Sequence, residues 1–184
     1  MGAGPGATFQ APASGAAVDL EQARRQAGIA DCPVSSGKPE ARQDGLPDLT
    51  LDCLGGGASV RLAGLRGKPM VINLWAQWCP PCRAESPHLR EFAQRASDKV
   101  QLLGIDYSDP HPELAIEFAG LVGWHYPQLA DPDRTAEGPL RLGTGIPVTL
   151  LVDAEGRIVH RVTGQLTSTE QLVDLVAEKL GVRL

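Results

Sequence analysis

"NLWAQWCPPCRAESPHL", residues 73–89, places Cys79 and Cys82 two residues apart, with Pro80 and Pro81 between them and Trp78 just before. Such a pair can hold a metal, staple a fold or exchange electrons, and the flanking sequence decides among these. Upstream, "MVINLWA" (70–76) is a continuous apolar run of the kind buried on both faces of a sheet. Downstream, "RAESPHLREFAQRA" (83–96) is amphipathic, with Leu89, Phe92 and Ala96 spaced for one helical face and Pro87 expected to kink it. The cysteines therefore fall where a buried strand ends and its following helix begins. Reaction sites of α/β sheets favour this carboxyl end of the strands.

Chemistry follows from that position. Cys79 is expected at the helix N-cap or the turn before it, where unpaired backbone N–H groups and the helix dipole favour an anion. A thiolate is the nucleophile of disulfide exchange, so this setting lowers the thiol pKa and raises its reactivity. Cys82 follows about one helical turn later, with its sulfur turned toward the protein as the resolving thiol. Pro80 and Pro81 suit the first helical positions, where the N–H they lack would have no partner, and they stiffen the loop. Zinc needs four ligands, usually from a second cysteine pair. Cys32 and Cys53 are 21 residues apart, and the histidines at 88, 111, 125 and 160 are scattered. A copper(I) site on the two thiolates stays open, without a nearby methionine to support it. The strand–turn–helix context favours redox exchange, with no metal and no cofactor beyond the Cys79–Cys82 pair.

Outward from the motif, "VQLLGIDYS" (100–108) reads as a second buried strand and "PELAIEFAGLVG" (112–123) as a helix ending near Gly123. "PVTLLVD" (147–153) and "RIVHRVTG" (157–164) flank "AEG" as an antiparallel hairpin. "TSTEQLVDLVAEKLG" (167–181) closes the chain as a helix capped near Thr167 or Ser168. Ahead of the motif, "DLTLDCL" alternates, "GGG" turns the chain and "SVRL" pairs back. The pattern predicts an α/β fold, a central mixed sheet with helices on both faces and a leading hairpin. "VDLEQARRQAGI" (18–29) is a candidate helix capped by Asp19, residues 30–47 are rich in turn formers, and no internal repeat is found. The expected organisation is a flexible linker or cloning remnant over 1–17, an extension over 18–45 and one domain over 46–184.

Composition sets the outer bounds. The chain has 184 residues, 42% of them hydrophobic, with 17 basic against 22 acidic side chains and a net charge of −5. No basic stripe suggests nucleic acid, and no apolar run approaches the ~18 residues that span a bilayer. "MGAGPGATFQAPASGAA" has neither the cationic nor the apolar region of a signal peptide.

The motif resembles the thioredoxin superfamily signature "FWA-x-WC-x-PC", and "NLWAQWCPPCRAESP" is similar to its TlpA/ResA-like branch of extracytoplasmic thiol–disulfide oxidoreductases. The resemblance runs from about residue 46 to 182 and takes in "LPDLTLDCLGGGASVRLAGLRGKPMVINLWA", "GIPVTLLVDAEGRIVHRVTG" and a helical insert near 110–123. It implies a three-layer α/β/α sandwich. It also implies that Pro147 is the family's cis-proline, facing the cysteines and offering the Ile146 backbone to a substrate segment. Trp78 matches the aromatic beside the nucleophile. Glu85 matches a carboxylate that this branch keeps near the active site; otherwise it is a solvated first-turn glutamate stabilised by the dipole. Thioredoxin itself has a buried aspartate six residues before the nucleophile, where this chain has Asn73, which cannot titrate. Glu85 is then the candidate for proton transfer at the resolving thiol, its pKa raised by burial.

Cys53 ends a strand on its apolar side and Cys32 sits in an irregular segment, so a disulfide between them would fasten the extension to the hairpin, an effect on the order of 3 kcal/mol. Two separate buried thiols are the alternative. Structural disulfides persist outside the cytosol, which agrees with the resemblance: a monomer hung from the membrane by an N-terminal segment absent from this sequence. The implied activity is exchange with exported protein substrates, most simply as a reductant, for example of apocytochrome c before haem attachment. A membrane thiol donor would then supply electrons. An oxidant would use the same residues in reverse. A peroxide-reducing enzyme and a carrier of copper or thiol clients are the readings from other classes.

Overall fold

The computed structural model describes residues 19–143 and 145–184, so the linker expected over 1–17 lies outside the described residues. The unbroken apolar run Met70–Trp75 forms β3, every residue of it buried. It pairs in parallel with β4 (Gln101–Tyr107) and antiparallel with β6 (Val148–Val152), which turns back into β7 (Ile158–Thr163). A strand apolar on both sides belongs in the middle of a covered sheet. The leading hairpin is also present, as β1 (Thr50–Cys53) and β2 (Ser59–Arg61) in antiparallel register.

One strand was not foreseen. β5 (Gln128–Asp131) lies parallel to β4 and antiparallel to β1, giving the sheet order β2-β1-β5-β4-β3-β6-β7. Its four residues include buried Gln128 and Asp131, so no alternation marks it. Its partners supply what its own sequence does not signal. Gly104 leaves room on β4 for the Gln128 side chain, and Gln128 Oε1 accepts from Trp75 Nε1 at 2.9 Å.

Helices α1 (Leu20–Gln26), α2 (Pro80–Ala96), α3 (Pro112–Val122) and α4 (Thr169–Leu180) complete the fold. α1 is shorter than the 18–29 reading, and Asp19 Oδ1 caps it from Gln22 N at 3.0 Å. Ser168, the N-cap of α4, accepts from Gln171 N at 3.1 Å, and Gly123 closes α3 at φ 75°. α2 runs unbroken through Pro87. Pro87 has no N–H for the carbonyl of Arg83, and the Ser86 hydroxyl donates to that oxygen instead at 2.8 Å.

Side chains of β3 divide the interior. Val71 and Trp75 join α2, α3 and α4 in one apolar cluster, while Met70, Ile72 and Leu74 join the cluster on the opposite face. Trp75, Phe118 and Trp124 stack edge to face or tilted, with centroids 4.9–5.7 Å apart. Such pairs add about 0.5–1.5 kcal/mol each beyond burial. The outer layers are unequal: buried residues of all the long helices lie on the Trp75 side. Leu46, the single turn Leu62–Gly64 and the loop residues Ala136, Leu140 and Leu142 close the other.

Candidate active site

Cys79 is the N-cap of α2 and is disulfide-bonded to Cys82, one turn into the helix. Its Sγ accepts from the Cys82 backbone N–H at 3.3 Å, the place an N-cap oxygen takes in other helices. Pro80 and Pro81 fill the first helical positions and are exposed. Cys82 is fully buried and Cys79 nearly so. The sulfur an incoming thiol or disulfide would reach is therefore that of Cys79, at the rim, once a partner or a small shift uncovers it.

Ile146 and Pro147 precede β6 and are joined by a cis peptide bond. The chain turn there brings the Ile146 carbonyl to 3.9 Å from Cys79 Sγ. Trp78 is half exposed, and its Nε1 donates to the Ser108 carbonyl at 3.2 Å. Trp78, Tyr107, Ser108, Arg134 and Ile146 line an open cleft of about 360 Å³ beside the cysteines. Four of the expected residues thus meet at one edge: Cys79, Trp78, Ile146 and Pro147. Tyr107, Ser108 and Arg134 carry no sequence signal for this place; they arrive through β4 and the loop after β5.

Glu85 lies on the inner side of α2, one turn past Cys82 and without solvent contact. Its Oε2 accepts from Leu166 N at 2.8 Å and its Oε1 from Asn73 Nδ2 at 2.9 Å. Burial pushes its carboxyl up to about 7, while the bonds from Leu166 and Asn73 pull against that rise. Asn73 Nδ2 also reaches Thr149 Oγ1 at 3.1 Å, and Asn73 Oδ1 has no partner. The solvated-glutamate alternative therefore fails for Glu85. Thr149 and the Leu166 amide were not foreseen; they lie 64 and 81 residues beyond Glu85, and β6 brings Thr149 to Asn73 while the turn after β7 brings the amide to Glu85. Burial first, and then the Glu85 charge, hold the Tyr126 hydroxyl well above its ordinary range.

A second buried carboxyl, Asp106, lies one residue before the end of β4, paired with Trp75. Burial and then the neighbouring charge of Asp109 push it up to about 9, and its Oδ1 has no partner. Further away, Cys32 and Cys53 are joined by a disulfide that ties the extension to β1. Among the described residues, no three His, Cys, Asp or Glu side chains gather as a metal-ligand set, and no helix is long and apolar enough to cross a membrane.

Comparison with known proteins agrees with this geometry. A family model described as Redoxin matches residues 41–176. The thiol:disulfide interchange protein HelX of Rhodobacter capsulatus is 36% identical over 137 residues, which is 73% of this chain and 72% of the relative. The thiol:disulfide interchange protein DsbE of Pseudomonas aeruginosa is 35% identical over 128 residues, 64% of this chain and 65% of the relative. Among solved structures, a secreted disulfide oxidoreductase of Mycobacterium tuberculosis aligns with a TM-score of 0.63 at 26% identity, covering 71% of this chain and 96% of that one.

Proposed function

This chain belongs to the Redoxin family, and on that premise we propose that it is a thiol–disulfide oxidoreductase cycling its Cys79–Cys82 pair against cysteines of other proteins. One observation carries the reading: Cys79 Sγ occupies the N-cap of α2, 3.3 Å from a backbone N–H and beside the Ile146 carbonyl. A helix N-terminus holds a thiolate as it holds any anion. In the reductive direction the Cys79 thiolate attacks one sulfur of a substrate disulfide lying along Ile146–Pro147. The substrate S–S bond breaks, the other sulfur leaves as a thiolate, and a mixed disulfide forms. Cys82, deprotonated with Glu85 taking up the proton, then attacks Cys79. The second substrate thiolate leaves, two electrons have passed to the substrate, and the Cys79–Cys82 disulfide remains.

Similarity to HelX and DsbE, whose names describe thiol:disulfide interchange, supports the reaction class. The proline pair and Ile146 before Pro147 support a reductant, acting for example on apocytochrome c, with a membrane thiol donor regenerating the dithiol. The Cys32–Cys53 disulfide supports an oxidising, extracytoplasmic location, with anchoring through an N-terminal segment. No resident cofactor is needed beyond the cysteines. The test is insulin reduction with dithiothreitol as donor. Turnover should vanish in Cys79→Ser, while Cys82→Ser should accumulate the mixed disulfide; turnover surviving in Cys79→Ser would overturn the mechanism, and stoichiometric copper binding without turnover would favour a carrier. The potential of the pair then assigns direction: near about −270 mV for a reductant, near about −120 mV for an oxidant.

A further inference from the structure

On the sheet face opposite α2, the extension near residues 42–47, the loop at 139–141 and β7 enclose a pocket of about 310 Å³. Arg42, Arg141 and Arg161 line it against one carboxylate, Asp44. Asp44 is already engaged, with Arg42 Nε at 3.0 Å from its Oδ1. Arg141 and Arg161 have no carboxylate partner among the described residues. Two positive charges thus stand uncompensated on a chain whose net charge is −5.

Arg161 is also held where it is. Arg161 Nη2 donates to the Leu140 carbonyl at 2.6 Å, which fixes its guanidinium beside the next residue, Arg141. Arg161 Nη1 is shut off from water and has no partner. Burial, and then the Arg141 charge, hold the Arg161 guanidinium below its usual range. Arg141 adopts a left-handed backbone at φ 51°, a conformation that costs a non-glycine residue free energy. Like charges on an open surface would splay apart into water. Here both line one pocket, and an anion held between them offsets the repulsion.

We infer that this pocket binds a phosphate ester, its phosphate between Arg141 and Arg161 and its carbon portion against Pro47, Pro139 and Ile158. A tetrahedral dianion can accept from two guanidinium forks at once, whereas one fork already satisfies a carboxylate. Pro47, Pro139 and Ile158 give part of the lining an apolar surface against which an organic remainder would rest. A free small ester and a phospholipid headgroup share this chemistry. The site is separate from the cysteine pair, so the inference does not depend on the redox reading.

Titrating the full chain with glycerol 3-phosphate, followed by NMR, tests the site. Saturable shifts are expected at the Leu140 amide and the Arg141 and Arg161 guanidinium signals, with affinity about tenfold weaker in Arg141→Gln and in Arg161→Gln. Insulin reduction should be unchanged in both. Arg141 is exposed, so Arg141→Gln carries the test if Arg161→Gln fails to fold. Absence of saturable shifts, equal shifts with sodium chloride at matched ionic strength, or undiminished affinity in Arg141→Gln would each overturn the site. Co-sedimentation with phosphatidylglycerol but not phosphatidylcholine vesicles, lost in Arg141→Gln, identifies the source as a lipid headgroup. Ester binding without sedimentation identifies a free phosphate ester.

Discussion

Glu85 is structural through its hydrogen bonds and, on the mechanism proposed above, chemical as well. Two donors, the Leu166 amide and Asn73 Nδ2, favour its charge, and complete burial opposes it; the balance leaves the carboxyl at about 7. A group poised there takes and returns a proton with little bias at neutral pH. Glu85→Gln should slow insulin reduction at pH 7 by at least about tenfold and remove the inflection near pH 7 from the pH–rate profile. An unchanged profile would exclude the proton role. Asp106 is the contrast, because its Oδ1 has no donor to offset burial and the carboxyl rises to about 9. Its folded state must carry a proton that the unfolded chain releases above about pH 4. Asp106→Asn should therefore stabilise the fold on the order of 1–3 kcal/mol at pH 8, with the gain fading toward pH 4, read from urea midpoints. Of the exchange edge, Cys79 and Trp78 were legible in a local motif, and Ile146 and Pro147 through the family resemblance alone. Asn73, Thr149 and Leu166 around Glu85 were not all legible, since only the sheet brings them together.

At the scale of elements, legibility followed apolar pattern. β3, β4, β6 and the helices stood out because their own residues carry the burial signal, whereas β5 is buried by its neighbours. Gly104 on β4, Gln128 on β5 and Trp75 on β3 form a single contact: a Cβ at 104 would overlap the Gln128 side chain that holds the Trp75 indole. Gly104→Ala should cost about 1–3 kcal/mol, measured by thermal unfolding, and Gln128→Ala in the same chain should recover part of that loss. The Cys32–Cys53 bridge acts on another pair of elements, the extension and β1. Replacing both cysteines by serine should lower stability by about 3 kcal/mol in urea unfolding while leaving insulin turnover within about twofold, since the bridge touches neither Cys79 nor Cys82. A collapse of turnover in the folded double variant would show that the extension shapes the exchange site.

For the whole molecule, the buried carboxyls set the response to pH. Glu85 and Asp106 are both raised by burial. The folded state thus binds more protons than the unfolded chain between about pH 4 and pH 9, and stability falls as pH rises through that window. The lowered carboxylates, Asp44, Glu91 and Glu178 on the surface and Asp153 beside Arg157, act in the opposite sense and lose their contribution only as pH falls below about 4. Thermal midpoints should therefore peak near pH 5 and decline by pH 8.5, and the Glu85→Gln, Asp106→Asn double variant should flatten that decline. The strand order carries a different consequence. β1 and β2 bond to the rest of the sheet only through β5, so the hairpin and the insert that delivers β5 form one heritable module. A lineage that shed the insert would have to re-seat the hairpin or lose it, and an engineer shortening this chain meets the same choice.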